Sequence, residues 1–134
     1  MPRHVFLCPL RWSDTDANQH INNVELVRYL EEARVRLHQD SSHSDEEPLP
    51  DTFLVAQQEI SYLRPLVYRP QPVTIETWIT AMARITLHLA YEIKDADQIY
   101  ARATSTLFPI DTTTRRPRKL TPREREALSP WTHP

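Results

Sequence analysis

The sequence predicts a single α+β domain over residues 1–134, in which one strand and one long helix are followed by four further strands and a short helix. A chain of 134 residues is long enough for one hydrophobic core. One segment repeats apolar residues with helical spacing, and four later segments alternate apolar and polar residues as strands do. Because short connections join these four strands, we expect antiparallel pairing, with the long helix packed on one face of the sheet.

The first two elements are a strand over residues 3–12 and a helix from Asn23 to His38. Asn22 has the side chain of a helix N-cap, and Glu25 follows three residues later, as in a capping box. Apolar residues then recur at helical spacing and predict one buried face, formed by Leu26, Val27, Leu30, Ala33 and Leu37.

The rest of the chain alternates loops and strands. Residues 39–52 are polar and acidic and contain two prolines, which predicts a surface loop. Strands are predicted over residues 53–63, 72–82, 85–94 and 98–109. Tight turns at residues 83–84 and 95–97 join the last three strands. Residues 113–134 form a basic tail with a short helix at 122–128, which has proline in its first turn.

The composition excludes several classes of function. The sequence contains no glycine, whereas average usage predicts roughly nine in this length. Without glycine there is no P-loop, Rossmann fingerprint or G-x-S-x-G nucleophile elbow. We also expect backbone positions with positive φ to be avoided or filled by Asn or Asp. The net charge of −2 argues against a nucleic-acid binder that works by bulk positive charge.

The sequence also predicts the cellular location of the chain and the absence of a membrane span, a disulfide and a metal site. No apolar run reaches the ~18–20 residues of a membrane span, and the N-terminal apolar stretch is too short for a secretory signal. The single cysteine, Cys8, permits no internal disulfide, so a cytoplasmic location is expected. Cys8 has no neighbouring base in sequence and is predicted to be a buried, inert thiol. His38 and His43 flank the acidic loop without a second pair of ligands, so no metal site is expected.

The densest polar cluster lies between the first strand and the helix and contains Asp14, Asp16, Asn18, His20, Asn22 and Asn23. The first N–H groups of a helix have no intrahelical partner, and the helix dipole attracts negative charge to this end. One such donor that stabilises an oxyanion in the transition state accelerates the reaction ~100- to 1,000-fold. Capping and turn formation also favour Asx residues here. Spacing alone therefore leaves a catalytic and a purely structural role open.

The segment WSDTDANQHINNVELVRYLEEAR, residues 12–34, resembles the signature of hotdog-fold acyl thioesterases, in particular the 4-hydroxybenzoyl-CoA thioesterase-like branch. Its D-x-N-x-H portion is similar to that of plant acyl-ACP thioesterases. The segments EISYLRPLVYRPQPVTIETWI and YARATSTLFPID resemble later strands of the family, so the likeness covers residues 4–112. The family fold, a long helix wrapped by an antiparallel sheet, agrees with the predicted order of elements.

The resemblance implies a role for each polar residue of the loop. Asp16 would be the catalytic carboxylate, either activating water or attacking the thioester carbonyl, and Asn23 would offer its backbone N–H to the carbonyl oxygen. By likeness to the plant enzymes, Asn18 and His20 would orient the water or the carboxylate. Those enzymes also use a Glu next to a Cys, whereas Pro65 and Leu66 stand at these positions, so the full plant constellation is absent.

The implied function is hydrolysis of an acyl-CoA, or of a thioester on an acyl carrier protein, without a cofactor. Arg64, Arg69 and Arg84 are candidates to bind the phosphates of CoA, as is the basic run at residues 115–119. Family members generally build their sites between subunits, so the resemblance also implies a homodimer or a tetramer.

Three alternatives stand beside this hypothesis. A hotdog hydratase would carry G-D-x-N-P-x-H, in which His follows Asp by five residues. Here His20 follows Asp16 by four residues, and the glycine and the proline of that motif are missing. A non-catalytic hotdog protein that binds acyl-CoA would have the same sequence pattern. Finally, the absence of glycine suggests deliberate removal, and a redesigned variant could retain the fold and lose the reaction.

Overall fold

A computed structural model describes residues 2–41 and 53–133 of the chain. The elements in chain order are β1 (His4–Cys8), α1 (Asn23–Ser41), β2 (Phe53–Tyr62), β3 (Val73–Met82), β4 (Leu87–Lys94), β5 (Ile99–Pro109) and α2 (Pro122–Leu128). All neighbouring strands pair antiparallel in one five-stranded sheet. The α+β class and the hotdog arrangement of helix and sheet are confirmed.

The strand order is β1-β3-β4-β5-β2. It corrects the implication of the short connections that each of the four later strands pairs with the next one in the chain. β3, β4 and β5 pair consecutively as predicted, but β2 pairs with β5 rather than with β3. The segment between β2 and β3 contains three prolines. Because proline has no N–H to donate to a ladder, this segment cannot form the tight hairpin that would place β2 beside β3.

Two predicted element ends differ from the structure by three residues or more, whereas the ends of the other strands differ by at most two. β1 ends at Cys8, followed by Pro9, and residues Trp12–Asp14 form a 3-10 turn, so the strand does not extend to Trp12. α1 continues to Ser41 instead of ending at His38, so residues 39–41 are helical and not part of a loop. The Ser41 hydroxyl donates to the Leu37 carbonyl in the last turn, 2.7 Å away. The remainder of the predicted loop, residues 42–52, lies outside the described residues.

α1 packs its apolar face on the sheet. Leu26, Leu30, Ala33 and Leu37 are buried as predicted, and burial of each leucine contributes about 1.5–3 kcal/mol. Val27 was expected on this face but is exposed, and Tyr29 takes the place next to it in the core. Alternating residues of β3, β4 and β5 supply the facing layer, as predicted: Val73, Ile75, Ile79, Leu87, Leu89, Tyr91, Ile93, Ala101, Ala103 and Leu107.

The C-terminal segment closes the far end of this core. Thr121 caps α2, because its side chain accepts from the backbone N–H of Glu124, whose carboxylate in turn accepts from the Thr121 N–H. Glu124 is buried and pairs with Arg118 at 2.8 Å. Leu128 enters the core. This arrangement fixes the basic tail against the sheet.

Two of the described backbone positions have positive φ, and they are not filled by the residue types that we expected. Gln19 has φ of 64° and Arg115 has φ of 61°, whereas Asn or Asp was predicted at such sites. Left-handed backbone costs a residue with a Cβ roughly 1–2 kcal/mol. Both residues therefore adopt a conformation that glycine or asparagine would adopt more readily.

Candidate active site

The loop between β1 and α1 is a small hairpin that presents Asp16. Thr15 and Ile21 form an antiparallel bridge, and the backbone N–H of Asp16 donates to the His20 carbonyl at 3.0 Å. The Gln19 N–H donates to the Asp16 carbonyl at 2.9 Å. The loop is tied to the segment after β2 through the Ile21 N–H, which donates to the Leu66 carbonyl at 2.7 Å. Backbone hydrogen bonds therefore hold the loop in place at Asp16 and at the residues that follow it.

Asp14, two residues earlier, is a structural anchor. Its buried carboxylate accepts hydrogen bonds from the Tyr29 hydroxyl at 2.6 Å, from Arg11 at 3.1 Å and from Arg28 at 3.2 Å. Burial alone would raise the pKa of Asp14, but the Tyr29 hydrogen bond and the two guanidinium groups outweigh it and hold that pKa below its usual value. All its acceptor capacity is directed at the protein, which leaves none for a substrate.

Asp16 has the opposite surroundings. The side chain is half-buried, and among the described residues its Oδ1 accepts a hydrogen bond from the backbone N–H of Asn18 alone, at 2.9 Å. Its Oδ2 lies 3.5 Å from the Asn22 amide nitrogen, a weak contact. No ion pair involving Asp16 exists in the part of the chain that the structure describes. This carboxylate keeps an open side for a water or a substrate carbonyl.

The start of α1 leaves one donor unused beside it. Asn22 is the N-cap as predicted, since its Oδ1 accepts the Val24 N–H at 2.8 Å, and its carbonyl accepts the N–H of Glu25 at 2.9 Å. The expected reciprocal bond of a capping box is absent, because the Asn22 N–H donates to the Asp14 carbonyl and Glu25 pairs with Arg28. Within residues 2–41 and 53–133, the Asn23 N–H has no acceptor.

These groups line one open cleft of about 450 Å³, called here the Asp16 cleft. Its lining comprises Asp16, Asn18, His20, Ile21, Asn22, Asn23, Leu26, Tyr62, Leu63, Arg64, Pro65 and Leu66. The structure thus brings together the four predicted catalytic residues and one predicted substrate-binding arginine, Arg64. The Asn18 contact to Asp16 comes from the backbone, and the His20 side chain makes no hydrogen bond to the described residues.

The other two predicted arginines lie elsewhere. The Arg69 guanidinium forms a 2.7 Å ion pair with Asp95 and also contacts the Tyr100 hydroxyl at 3.2 Å. Arg84 lies in the connection between β3 and β4, at the opposite end of the sheet from the cleft. Substrate contacts by Arg69 and Arg84 remain predictions.

Sequence reasoning missed Tyr62 and Leu63, which form one wall of the cleft. Tyr62 is the last residue of β2 and Leu63 follows it. Among the described residues β2 pairs with β5 alone, so the approach of this wall to the β1–α1 loop depends on a long-range pairing that no local pattern encodes. It also missed Tyr29 as the partner of Asp14. The signal was available, because Tyr29 precedes Leu30 on the apolar face, and a buried tyrosine hydroxyl usually finds an acceptor.

Two further features of the described residues bear on earlier expectations. Cys8 is buried as predicted, and burial raises the pKa of its thiol to about 12, with Glu32 and Asp14 adding to the effect. No described set of His, Cys, Asp and Glu side chains is arranged to hold a metal ion. None of the described helices combines the length and the apolar character needed to cross a membrane.

Comparison with known proteins identifies the family. The family model described as the thioesterase-like superfamily matches residues 10–129. The chain belongs to the thioesterase-like superfamily. No curated protein sequence gives a significant match to this superfamily member.

Solved structures agree with the superfamily fold. A predicted thioesterase from Bacillus stearothermophilus is 22% identical, with 98% of each chain covered and a TM-score of 0.87. A thioesterase from Thermus thermophilus, complexed with coenzyme A and Zn, is 24% identical, with 95% of this chain and 92% of that chain covered and a TM-score of 0.81. The PA5185 protein from Pseudomonas aeruginosa is 18% identical, with 98% and 97% covered and a TM-score of 0.81. At these identities the likeness establishes the fold.

Proposed function

We propose that this superfamily member is an acyl-CoA thioesterase of the 4-hydroxybenzoyl-CoA thioesterase-like type, with Asp16 as its catalytic carboxylate. One observation supports this proposal most strongly. The Asp16 carboxylate, which has free acceptor positions, lies in the same cleft as Asn23, whose backbone N–H at the start of the helix has no acceptor among the described residues. A thioester carbonyl needs both a group that delivers the nucleophile and a donor for the negative charge that develops on oxygen.

In this mechanism the thioester carbonyl oxygen accepts the Asn23 N–H at the positive end of α1. Asp16 removes a proton from water as the water oxygen bonds to the carbonyl carbon. The C–S bond then breaks, the proton passes to the leaving thiolate, and free acid and thiol are released. In the other route Asp16 attacks the carbonyl carbon, the C–S bond breaks to release the thiolate, and an anhydride between Asp16 and the acyl group forms. Water then cleaves the anhydride to the free acid and the Asp16 carboxylate, and the proton from water passes to the thiolate. Both routes use the same two groups, and His20 would orient the water in either.

We infer that the site is completed in a homodimer through β2. In the part of the chain that the structure describes, β2 is an edge strand of ten residues with β5 as its single neighbour, and most of it is exposed, including Leu54, Val55 and Tyr62. A long exposed edge of this kind is normally covered or paired. The other edge, β1, has five residues and is followed by proline, so it offers a poorer ladder. Two β2 strands pairing antiparallel about a two-fold axis would form one continuous sheet.

The dimer also provides a place for the acyl group. An apolar cavity of about 290 Å³ lies between the second half of α1 and the starts of β2 and β4, lined by Val35, Leu54, Leu87 and Leu89 among others. Tyr62 borders the Asp16 cleft, whereas Leu54 borders the cavity, at opposite ends of β2. An antiparallel pair of β2 strands brings the cavity of one copy beside the Asp16 cleft of the other.

The single buried thiol, Cys8, favours a reducing, cytoplasmic setting.

The proposal is tested by following thiol release from short-chain, long-chain and aromatic acyl-CoA. Asp16→Asn should lower kcat by ~100-fold or more, with the melting temperature unchanged because Asp16 is half-exposed. The matched control is Asp111→Asn, since Asp111 closes a similar surface turn by accepting the N–H groups of Thr113 and Thr114. It should leave kcat unchanged.

Equal rates in the parent and in Asp16→Asn would remove Asp16 from the chemistry. A parent that hydrolyses none of the three thioesters, but whose melting temperature rises when acyl-CoA is added, would overturn the enzymatic proposal. That result would favour a binding protein or a redesigned chain that kept only the fold.

A further inference from the structure

The apolar cavity of about 290 Å³, called here the α1–β2 cavity, has an arginine in its wall. Five of the residues that line the cavity are buried leucines: Leu37, Leu87, Leu89, Leu107 and Leu128. Arg34 lines the same cavity from the middle of α1 and is half-buried. Aliphatic walls are enough to bind a hydrocarbon chain, so the charge of Arg34 adds a recognition element that burial of such a chain does not require.

The hydrogen bonds of Arg34 go to neutral groups. Its Nη1 donates to the side-chain oxygen of Gln58 at 3.0 Å and to the Tyr91 hydroxyl at 3.4 Å. The Tyr91 hydroxyl also shares a hydrogen bond with the Ser105 hydroxyl, and both of these residues are buried. Burial raises the pKa of Tyr91, so its hydroxyl stays protonated at neutral pH. These contacts fix the direction of the Arg34 side chain but do not compensate its charge.

Arg34 differs in this respect from Arg69, which is also half-buried. Arg69 pairs with Asp95 at 2.7 Å. In the part of the chain that the structure describes, Arg34 forms no ion pair, although Glu31 lies one turn before it on α1 and lines the same cavity. A half-buried charge attracts an anion more strongly than an exposed charge does, because less water screens the attraction. The α1–β2 cavity therefore suits a ligand that carries a negative charge.

The position of the cavity determines which part of an acyl group can reach Arg34. Asp16 and Asn23 line the Asp16 cleft and do not line the α1–β2 cavity. A thioester whose carbonyl is held by these two residues therefore has its reacting carbon outside the cavity. The part of the acyl group that enters the cavity is the end remote from the thioester, so a charge on that end would meet the Arg34 guanidinium.

We infer that the α1–β2 cavity selects acyl groups that end in a carboxylate, with Arg34 as the residue that determines this specificity. The substrates would be CoA monothioesters of short dicarboxylic acids, so the inference rests on the proposed thioesterase function. Among the described residues, the hydrogen bonds of Arg34 use Nη1 alone. Nε and Nη2 are then available to the two oxygens of a carboxylate, in the fork geometry that arginine offers to such groups.

The test compares pairs of thioesters that have equal numbers of acyl carbons and differ in the terminal carboxylate. The pairs are succinyl-CoA with butanoyl-CoA, adipoyl-CoA with hexanoyl-CoA, and suberoyl-CoA with octanoyl-CoA. The parent should have a higher kcat/KM for the diacid thioester in at least one pair. For that pair, Arg34→Gln should lower kcat/KM for the diacid thioester about 10- to 100-fold, because a charge-assisted hydrogen bond is lost, and should change the value for the alkanoyl thioester by less than about twofold.

Two further variants separate the charge of Arg34 from a structural role. Arg36→Gln removes the same charge two residues later on α1, where Arg36 is exposed, lies over the Phe6 ring and does not line the cavity. It should leave both kcat/KM values unchanged. Arg34→Lys keeps the charge without the planar fork and should lose less activity on the diacid thioester than Arg34→Gln. An equal loss on the diacid and the alkanoyl thioesters in Arg34→Gln would overturn the inference.

Failure of this inference is distinguishable from failure of the proposed function. If the parent hydrolyses both members of every pair with equal kcat/KM, the inference fails and the thioesterase proposal stands. If it hydrolyses no thioester, the thioesterase proposal fails, and thermal unfolding with hexanoate or with the neutral hexanamide still tests the cavity. Hexanoate should then raise the melting temperature of the parent and of Arg36→Gln more than hexanamide does, and Arg34→Gln should lose this difference. Equal shifts with the two ligands in the parent would overturn the inference.

Discussion

Asp14 and Asp16 stand two residues apart in the same loop, yet their surroundings differ in every physical respect. Asp14 is buried and accepts bonds from Tyr29, Arg11 and Arg28. Asp16 is half-exposed and has one good hydrogen bond, from a backbone N–H. Asp14 ends the 3-10 turn over Trp12–Asp14, whereas Asp16 lies in the hairpin that follows, so one carboxylate is buried in the protein and the other borders the cleft. A residue type therefore does not define a role: the first aspartate fixes the loop, and the second is available for chemistry.

The largest effect that separates the two aspartates should appear in stability. Asp14→Asn should lower the free energy of unfolding by about 2–3 kcal/mol, because the charge that holds the Tyr29 hydroxyl and two guanidinium groups is lost. Asp16→Asn should change it by less than about 0.5 kcal/mol. Urea denaturation of the two variants measures both values. Similar losses in the two variants would contradict the division between a buried anchor, Asp14, and a carboxylate that does not stabilise the fold, Asp16.

The pH dependence of this difference has a definite sign. The folded-state pKa of Asp14 is lowered, by its hydrogen bonds and neighbouring charges against the opposing effect of burial. The stabilisation is therefore fully present above the unfolded pKa of about 3.9 and is lost as the pH falls through the folded value. The gap in stability between parent and Asp14→Asn should be constant from pH 7 to pH 5. Below pH 4 it should shrink by up to about 1.4 kcal/mol per pH unit. A gap that stays constant to pH 3 would contradict the assignment of this charge.

The smallest expected effect concerns the backbone of the Asp16 loop. Gln19→Gly should raise the free energy of unfolding by about 0.5–1 kcal/mol, since glycine relieves the left-handed strain but costs more entropy on folding. Gln19→Ala keeps the Cβ and should bring no gain. Thermal unfolding of both variants provides the comparison. If glycine destabilises the chain, its entropy cost on folding exceeds the strain that it relieves at position 19.

Local physics explains what the sequence could and could not predict. The elements follow from side-chain periodicity and caps, which is why Asn22, Thr121 and the alternating core of β3 and β4 were predictable. The proposed role of Asp16 came from a resemblance, because spacing alone did not distinguish it from Asp14. The pairing of β2 with β5 was not predictable, because it joins strands that are far apart in sequence and depends on how the whole sheet assembles. The cleft wall at Tyr62 depends on that pairing.

The position of β2 in the chain has a consequence for protein synthesis. Of the strands that the structure describes, β2 leaves the ribosome second, but the strand that it pairs with, β5, ends at Pro109, roughly 50 residues later. At ~5–20 residues per second, this strand waits about 2–10 s with both edges unpaired. Its middle carries the polar residues Gln57 and Gln58 and the charged residue Glu59. A charge within an apolar segment opposes aggregation, so we expect Glu59 to reduce association of nascent chains through this strand before the sheet has formed.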